Sequence, residues 1–291
     1  MDDPYESFCT QGTPVESAHS LNPVAIAVAP NGGRRTKADH PAIPLTPAEL
    51  ARTAAECAEA GAAMIHVHVR DRNGNHLLDA DAYREAIAAI RDTVGERLVV
   101  QITSEALGIY SPAEQMAVVR DVKPQAVSLA LREIVPDSAS ELSFAHFLAW
   151  LHAERVAPQI ILYSPEEAVR LSGLQQRGLV PWASVPVLYV LGRYTQGQMS
   201  APADLLPFLA TKMPRFNHWS VCAFGRNEAA CVTAAALLGG HVRVGFENNL
   251  LLPDGTMAAS NADLVAAVAR ALGACGLEIA NAAELASQWG M

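Results

Sequence analysis

Two imidazoles alternate with valines at His66-Val67-His68-Val69, inside the run AAMIHVHVRDRNGN. Side chains two residues apart on a strand leave the same face. His66 and His68 therefore share one face, and Val67 and Val69 share the other. Imidazole fills an apolar interior poorly, but a pair of imidazoles on one face can bind a divalent metal. A catalytic site of that kind needs a third protein ligand and an open position. The candidate third ligand is Glu247, in HVRVGFENNL (241–250), where Arg243, Gly245 and Glu247 fall on one face of another predicted strand. A His/His/Glu set favours zinc, with iron and manganese as alternatives. The competing reading is two hydrogen-bonded core histidines and a barrel-mouth carboxylate neutralised by Arg243.

Elements must bring these distant residues together. From Val24 onward, β-branched runs alternate with alanine-rich helical patterns. The predicted strands are 24–29, 64–69, 98–103, 126–131, 159–163, 185–191, 219–224 and 242–247, and a helical pattern follows each. Thr46-Pro47-Ala48-Glu49, Ser111-Pro112-Ala113-Glu114 and Ser164-Pro165-Glu166-Glu167 repeat one helix start, and Ser260-Asn261-Ala262-Asp263 is a looser version. In the first three, a hydroxyl caps free amides, proline takes the first helical position and a glutamate reaches back; the fourth lacks the proline. Eight strand–helix units predict right-handed crossovers closing into a single-domain (β/α)8 TIM barrel over residues 22–291. An open doubly wound sheet is the alternative, but no GxGxxG turn follows the first strand. Residues 1–21 read as a polar, loosely ordered extension. In the barrel the valines face the helices and the histidines face the axis, at the strand end where such barrels build their active sites.

Composition narrows the classes of function. A net charge of −9 argues against nucleic acid or an anionic membrane as the main partner. Five cysteines, odd in number and without a CxxC pair, fit a reducing cytoplasm better than a disulfide framework. The acidic N-terminus lacks the apolar core of a signal peptide, and no apolar stretch is long enough to span a bilayer.

VAPNGG after the first strand, HVHVRD on the second and GGHVRVGFENNL on the eighth together resemble the β-keto acid cleavage enzyme family, from about Val24 to Ala286. The resemblance implies a (β/α)8 barrel assembled as a homotetramer, with zinc held by His66, His68 and Glu247. It implies condensation of a β-keto acid with acetyl-CoA as co-substrate, giving acetoacetate and a new CoA thioester. Arg243 matches the family arginine, Thr103 or Ser104 the strand-three hydroxyl, and Ser128 the strand-four hydroxyl. Asn248 stands where many members carry an acid/base aspartate, and Gln159 where another acid often lies. LREIVPD replaces the usual end of strand four, so Glu133 is the candidate to supply a carboxylate. Its competing role is a solvated charge or a pair with Arg132.

The remaining candidates lie in loops. Asn31, at the end of strand one, could hydrogen-bond substrate. Arg34, Arg35 and Lys37 could meet the phosphates of CoA, or simply be solvated. Arg226, in FGRNEAA before a helix N-terminus, could bind phosphate, because free amides there favour anions. Arg193 and Tyr194 could line the entrance or merely cover it. Arg70 reads as a structural ion pair and Asp71 as a possible partner for an imidazole. His241 is at the wrong end of its strand to be a ligand, and Cys222 reads as packing. Two rival functions remain: a metal-dependent barrel lyase or hydrolase on another keto or carboxylate substrate, and a catalytically silent barrel that binds a metal or metabolite.

Overall fold

Alternation along the strands sorts side chains into two cores. In β1 (Val24–Val28), Val24, Ile26 and Val28 pack outward into the large core beneath the helices, while Ala25 and Ala27 face the axis. The computed structural model describes residues 22–291. Seven more strands follow: β2 (Met64–Val67), β3 (Val99–Thr103), β4 (Ala126–Ala130), β5 (Ala157–Leu162), β6 (Val187–Leu191), β7 (Trp219–Ala223) and β8 (His241–Val244). All pair in parallel with their sequence neighbours, and β8 returns to β1 with Ala27 opposite Arg243 and Val28 opposite Val244. The sheet is thus a closed (β/α)8 barrel, and closure brings the second and eighth strands within one strand of each other.

The outer ring comprises α1 (Pro47–Glu59), α2 (Ala80–Val94), α3 (Pro112–Val122), α4 (Glu141–Ala153), α5 (Pro165–Gln176), α6 (Glu228–Leu237) and α7 (Asn261–Ala274). Complete capping boxes start α1 at Thr46, α3 at Ser111 and α7 at Ser260. Ser164 gives α5 no side-chain cap; there Glu167 accepts from the Tyr163 amide instead. The helical pattern that follows the sixth predicted strand is reduced to a 3-10 turn, Pro202–Leu205, and one α-turn, Leu206–Leu209. Its second proline, Pro207, lacks the amide that a longer helix would use.

A further helix, α8 (Ala282–Trp289), was not foreseen. It carries Leu285 and Trp289 against Ala25, Ala27, Ala63, Ala126 and Ala157, closing the end of the barrel opposite the histidines. Small side chains on the inner face leave the room that the indole fills. Among the described residues no helix is long and apolar enough to cross a membrane. Cys57, Cys222, Cys231 and Cys275 are free thiols. The expected N-terminal extension lies outside the described residues.

Candidate metal centre and substrate chamber

Strand β2 ends at Val67, earlier than its sequence pattern predicts, because the chain leaves the barrel at Val69–Arg70 to pair antiparallel with His76–Leu77. His66 and His68 nevertheless turn to the same side, and their Nε2 atoms lie 3.2 Å apart. Asn31 fixes the second of them. Its amide donates to the carbonyls of His68 (2.8 Å) and Pro44 (3.0 Å) and accepts from the His68 amide (3.4 Å). Asn31 is therefore committed to the chain rather than free for substrate. Arg70, expected in an ion pair, instead donates to the carbonyls of Asn31, Gly32, Arg35 and Gly74 and pins the loop after β1. Asp71 accepts from the amides of Asn73 and Asn75 in the hairpin turn, not from an imidazole.

Glu247 also arrives by a route that differs from the expectation. β8 stops at Val244, and Gly245–Asn248 form a turn, so strand alternation does not set the carboxylate. Gly245 adopts φ 135°, and a Cβ there would lie 2.4 Å from the Ala29 carbonyl oxygen, so only glycine fits. The turn is held by Gly245 N donating to Glu228 (3.2 Å), Phe246 N to Asn261 (2.8 Å) and Glu247 N to Ala29 (3.0 Å). Gly32 makes the room beside it: its φ is 60°, and a Cβ would meet the Glu247 side chain at 2.6 Å.

The result is a compact donor set. Glu247 Oε2 lies 3.4 Å from His68 Nε2 and 3.7 Å from His66 Nε2. A tetrahedral zinc site with bonds of about 2.0–2.1 Å has edges of about 3.3 Å between donors, so the three atoms fit one ion. Two further observations favour an ion there. Glu247 Oε2 is buried with no hydrogen-bond partner. His66 Nδ1 donates to Gln101 Oε1 (2.7 Å), which leaves a lone pair on Nε2 aimed at the centre. Burial lowers the pKa of His66 to about 3, so its ring is neutral, as a ligand must be. Burial alone would raise the pKa of Glu247, but the Arg243 guanidinium and the two imidazoles outweigh it and hold the carboxyl well below its ordinary range.

Gln101 continues into a polar layer across the barrel, with its amide donating to Gln159 (3.1 Å) and Gln159 to Ser220 (3.3 Å). Gln159, considered as the place of a missing acid, belongs to this layer under the site. Arg243 is buried and donates to Glu247 Oε1 (3.2 Å) and to Cys222 Sγ (3.3 Å).

Above the donor set opens a narrow chamber. One wall is apolar, formed by Ala130, Ile161, Val190 and Phe224, and Thr103, Ser128, Glu105, Tyr163 and Arg193 supply polar groups. Ser128 Oγ is buried without a partner, hence available to a ligand. Thr103 Oγ1 accepts from the Glu105 amide. Ser104 faces away and donates to the Ser128 carbonyl (2.8 Å). Asn248 is fully buried beneath the turn and does not line the chamber.

Glu133 does not line it either. On the single helical turn Leu131–Ile134, it accepts from the Ala106 amide (2.9 Å) and from Gln115 (3.0 Å), clamping the segment after β3. Arg132 pairs with Glu167 (2.6 Å), not with Glu133. At the entrance, Arg34, Arg35 and Arg193 surround Gly32 and Gly33. Arg35 also donates to the Phe246 carbonyl. Lys37 is paired with Glu49 (2.7 Å), and Arg226 is exposed and lines neither the chamber nor its entrance. His241, at the far end of β8, accepts from Ala25 N and donates to Gln288, so it serves structure. Glu105 was not singled out in the sequence. The signal for it is a carboxylate just past the predicted end of β3, beside Thr103 and Ser104.

Fold and site together define a (β/α)8 barrel with a candidate metal centre and a small-molecule chamber at its C-terminal mouth. A family model described as beta-keto acid cleavage enzyme matches residues 23–291. The chain belongs to that family. It is 31% identical over 265 residues to a 3-keto-5-aminohexanoate cleavage enzyme of Fusobacterium nucleatum, covering 89% of this chain and 95% of that one. It is 26% identical over 281 residues to a 3-oxoadipate:acetyl-CoA acetyltransferase of Cupriavidus necator, covering 92% and 95%. Among solved structures, apo ObcA aligns with a TM-score of 0.66 at 17% identity, covering 86% of this chain and 66% of that one, which speaks to fold alone.

Proposed function

We propose that this chain is a zinc-dependent β-keto acid cleavage enzyme, condensing a β-keto acid with acetyl-CoA to give acetoacetate and a new acyl-CoA. The observation that carries the reading is the convergence of His66, His68 and Glu247 donor atoms within 3.7 Å in a chain of this family. Bound zinc would supply Lewis acidity toward a ketone oxygen. Arg243, beside the same carboxylate, stabilises negative charge that develops next to the carbonyl. Thr103 and Ser128 orient the substrate carboxylate. The apolar wall opposite favours a short, uncharged tail on the substrate. Arg34, Arg35 and Arg193 at the entrance suit the phosphates of CoA. The working form in this reading is a cytoplasmic homotetramer.

Purified protein loaded with zinc, given a panel of β-keto acids and acetyl-CoA, is expected to release acetoacetate and a matching acyl-CoA by mass spectrometry. Turnover that needs no thioester would instead identify a metal-dependent lyase or hydrolase. Stoichiometric zinc without turnover on a broad panel would identify a silent binding barrel.

A further inference from the structure

Carbon–carbon chemistry beside a carbonyl requires a base for the proton on the carbon between the ketone and the carboxylate. This inference rests on the functional reading above. The groups that the sequence offers for that role are unsuited to it. Asn248 and Gln159 are amides, and Glu133 is committed to the Ala106 amide and Gln115. Glu247 belongs to the donor set, and burial keeps the Tyr163 phenol protonated. Among the chamber-lining residues one carboxylate remains, that of Glu105.

Its backbone is fixed by hydrogen bonds, while its carboxylate accepts none among the described residues and is held only by longer ion-pair contacts. The Glu105 amide donates to Thr103 Oγ1 (3.0 Å), and its carbonyl accepts from His76 Nε2 (2.7 Å). Glu133 holds the next amide, and Gln115 donates to the preceding carbonyl of Ser104. The carboxylate itself lies 3.9 Å from His68 Nδ1 and 3.6 Å from Arg193 Nη2, both beyond hydrogen-bond range. It stands where chamber and entrance meet.

We propose that Glu105 is the catalytic base of this enzyme. Its carboxylate takes the proton from the carbon between the two carbonyl groups of the β-keto acid. That C–H bond breaks, its electron pair passes into an enolate shared with the ketone oxygen, and the proton becomes the carboxyl O–H of Glu105. Arg193 keeps the carboxylate facing the chamber. Glu133, Gln115 and His76 act through the loop as positioning residues.

The test is deuterium exchange at that carbon, followed by NMR with acetoacetate and a longer straight-chain homologue, on the zinc-loaded full chain without acetyl-CoA. Zinc content and chelator-competition affinity are measured alongside. Wild type should exchange above the buffer rate. E105Q should retain wild-type zinc affinity and melting temperature and lose about 10²–10⁴-fold in exchange rate, with E105D in between. An E105Q protein that exchanges as fast as wild type overturns the assignment. So does one whose zinc affinity falls and whose exchange returns at excess zinc, since Glu105 would then be orienting His68. A wild type without exchange overturns the functional reading, and this assignment with it.

Discussion

His66 is aimed by what lies behind it. The Gln101 carbonyl accepts from His66 Nδ1–H, and Gln101 is itself held by Gln159, which donates in turn to Ser220. Second partners of this kind fix a ligand's tautomer, and removing one typically costs about 10–100-fold in metal affinity. Gln101→Leu is therefore expected to weaken zinc binding by that factor in a chelator competition. Because it leaves Gln159 buried without its donor, it should also cost about 1–3 kcal/mol in urea unfolding. An unchanged zinc affinity would show that the polar layer packs the barrel without tuning the site. At this scale the sequence was informative where spacing mattered and silent where partners did. The His66/His68 pair was legible from alternation. That Asn31 grips His68, that Glu133 grips Ala106 and that Glu105 lies between His68 and Arg193 are contacts between loops distant in sequence, which no local pattern encodes.

The turn after β8 carries Glu247 and the loop after β3 carries Glu105, and both are set by backbone contacts. Gly245→Ala puts a Cβ into the Ala29 carbonyl at a φ of 135°. It is expected to destabilise by at least about 1–3 kcal/mol, and to displace Glu247 enough that metal analysis finds substoichiometric zinc. His76, which holds the Glu105 carbonyl, is buried, and burial, aided by nearby His68 and Arg70, lowers its pKa from 6.5 to about 4. The unfolded chain then binds the proton more readily than the folded one. Stability contributed by neutral His76 is thus intact above pH 6.5 and is lost as pH falls from 6.5 toward about 4. At about 1.4 kcal/mol per unit, the loss is on the order of 3 kcal/mol. Urea midpoints of zinc-free protein should fall over that range, and His76→Gln should fall less steeply. Parallel pH profiles for the two proteins would refute the assignment. Element identities were legible from capping boxes and β-branched runs, but element ends were not. β2 and β8 stop early because a hairpin and a glycine turn take over, and those choices depend on the neighbouring strand.

Closure of the barrel makes a single site from residues 66, 68 and 247, so an ion bound there ties together the second and eighth strands. A ligand that binds only the folded chain stabilises it by mass action, about 4 kcal/mol at a thousandfold excess over Kd. Zinc is expected to raise the unfolding free energy of wild type by that order, read as a higher urea midpoint. It should leave that of His66→Ala nearly unmoved, with zinc content below stoichiometric. The amino-acid sequence by itself determined the single-domain barrel and the pair of inward histidines, because strand period, helix caps and repeat order are local properties of a chain. Only the tertiary structure decided that Glu247 reaches the donor set through a turn rather than along a strand, that Glu105 lines the chamber, that Glu133 is spent on a loop, and that a last helix stoppers the far end. Those are matters of what lies across space from a side chain, and closing the barrel brings together residues that the sequence keeps far apart.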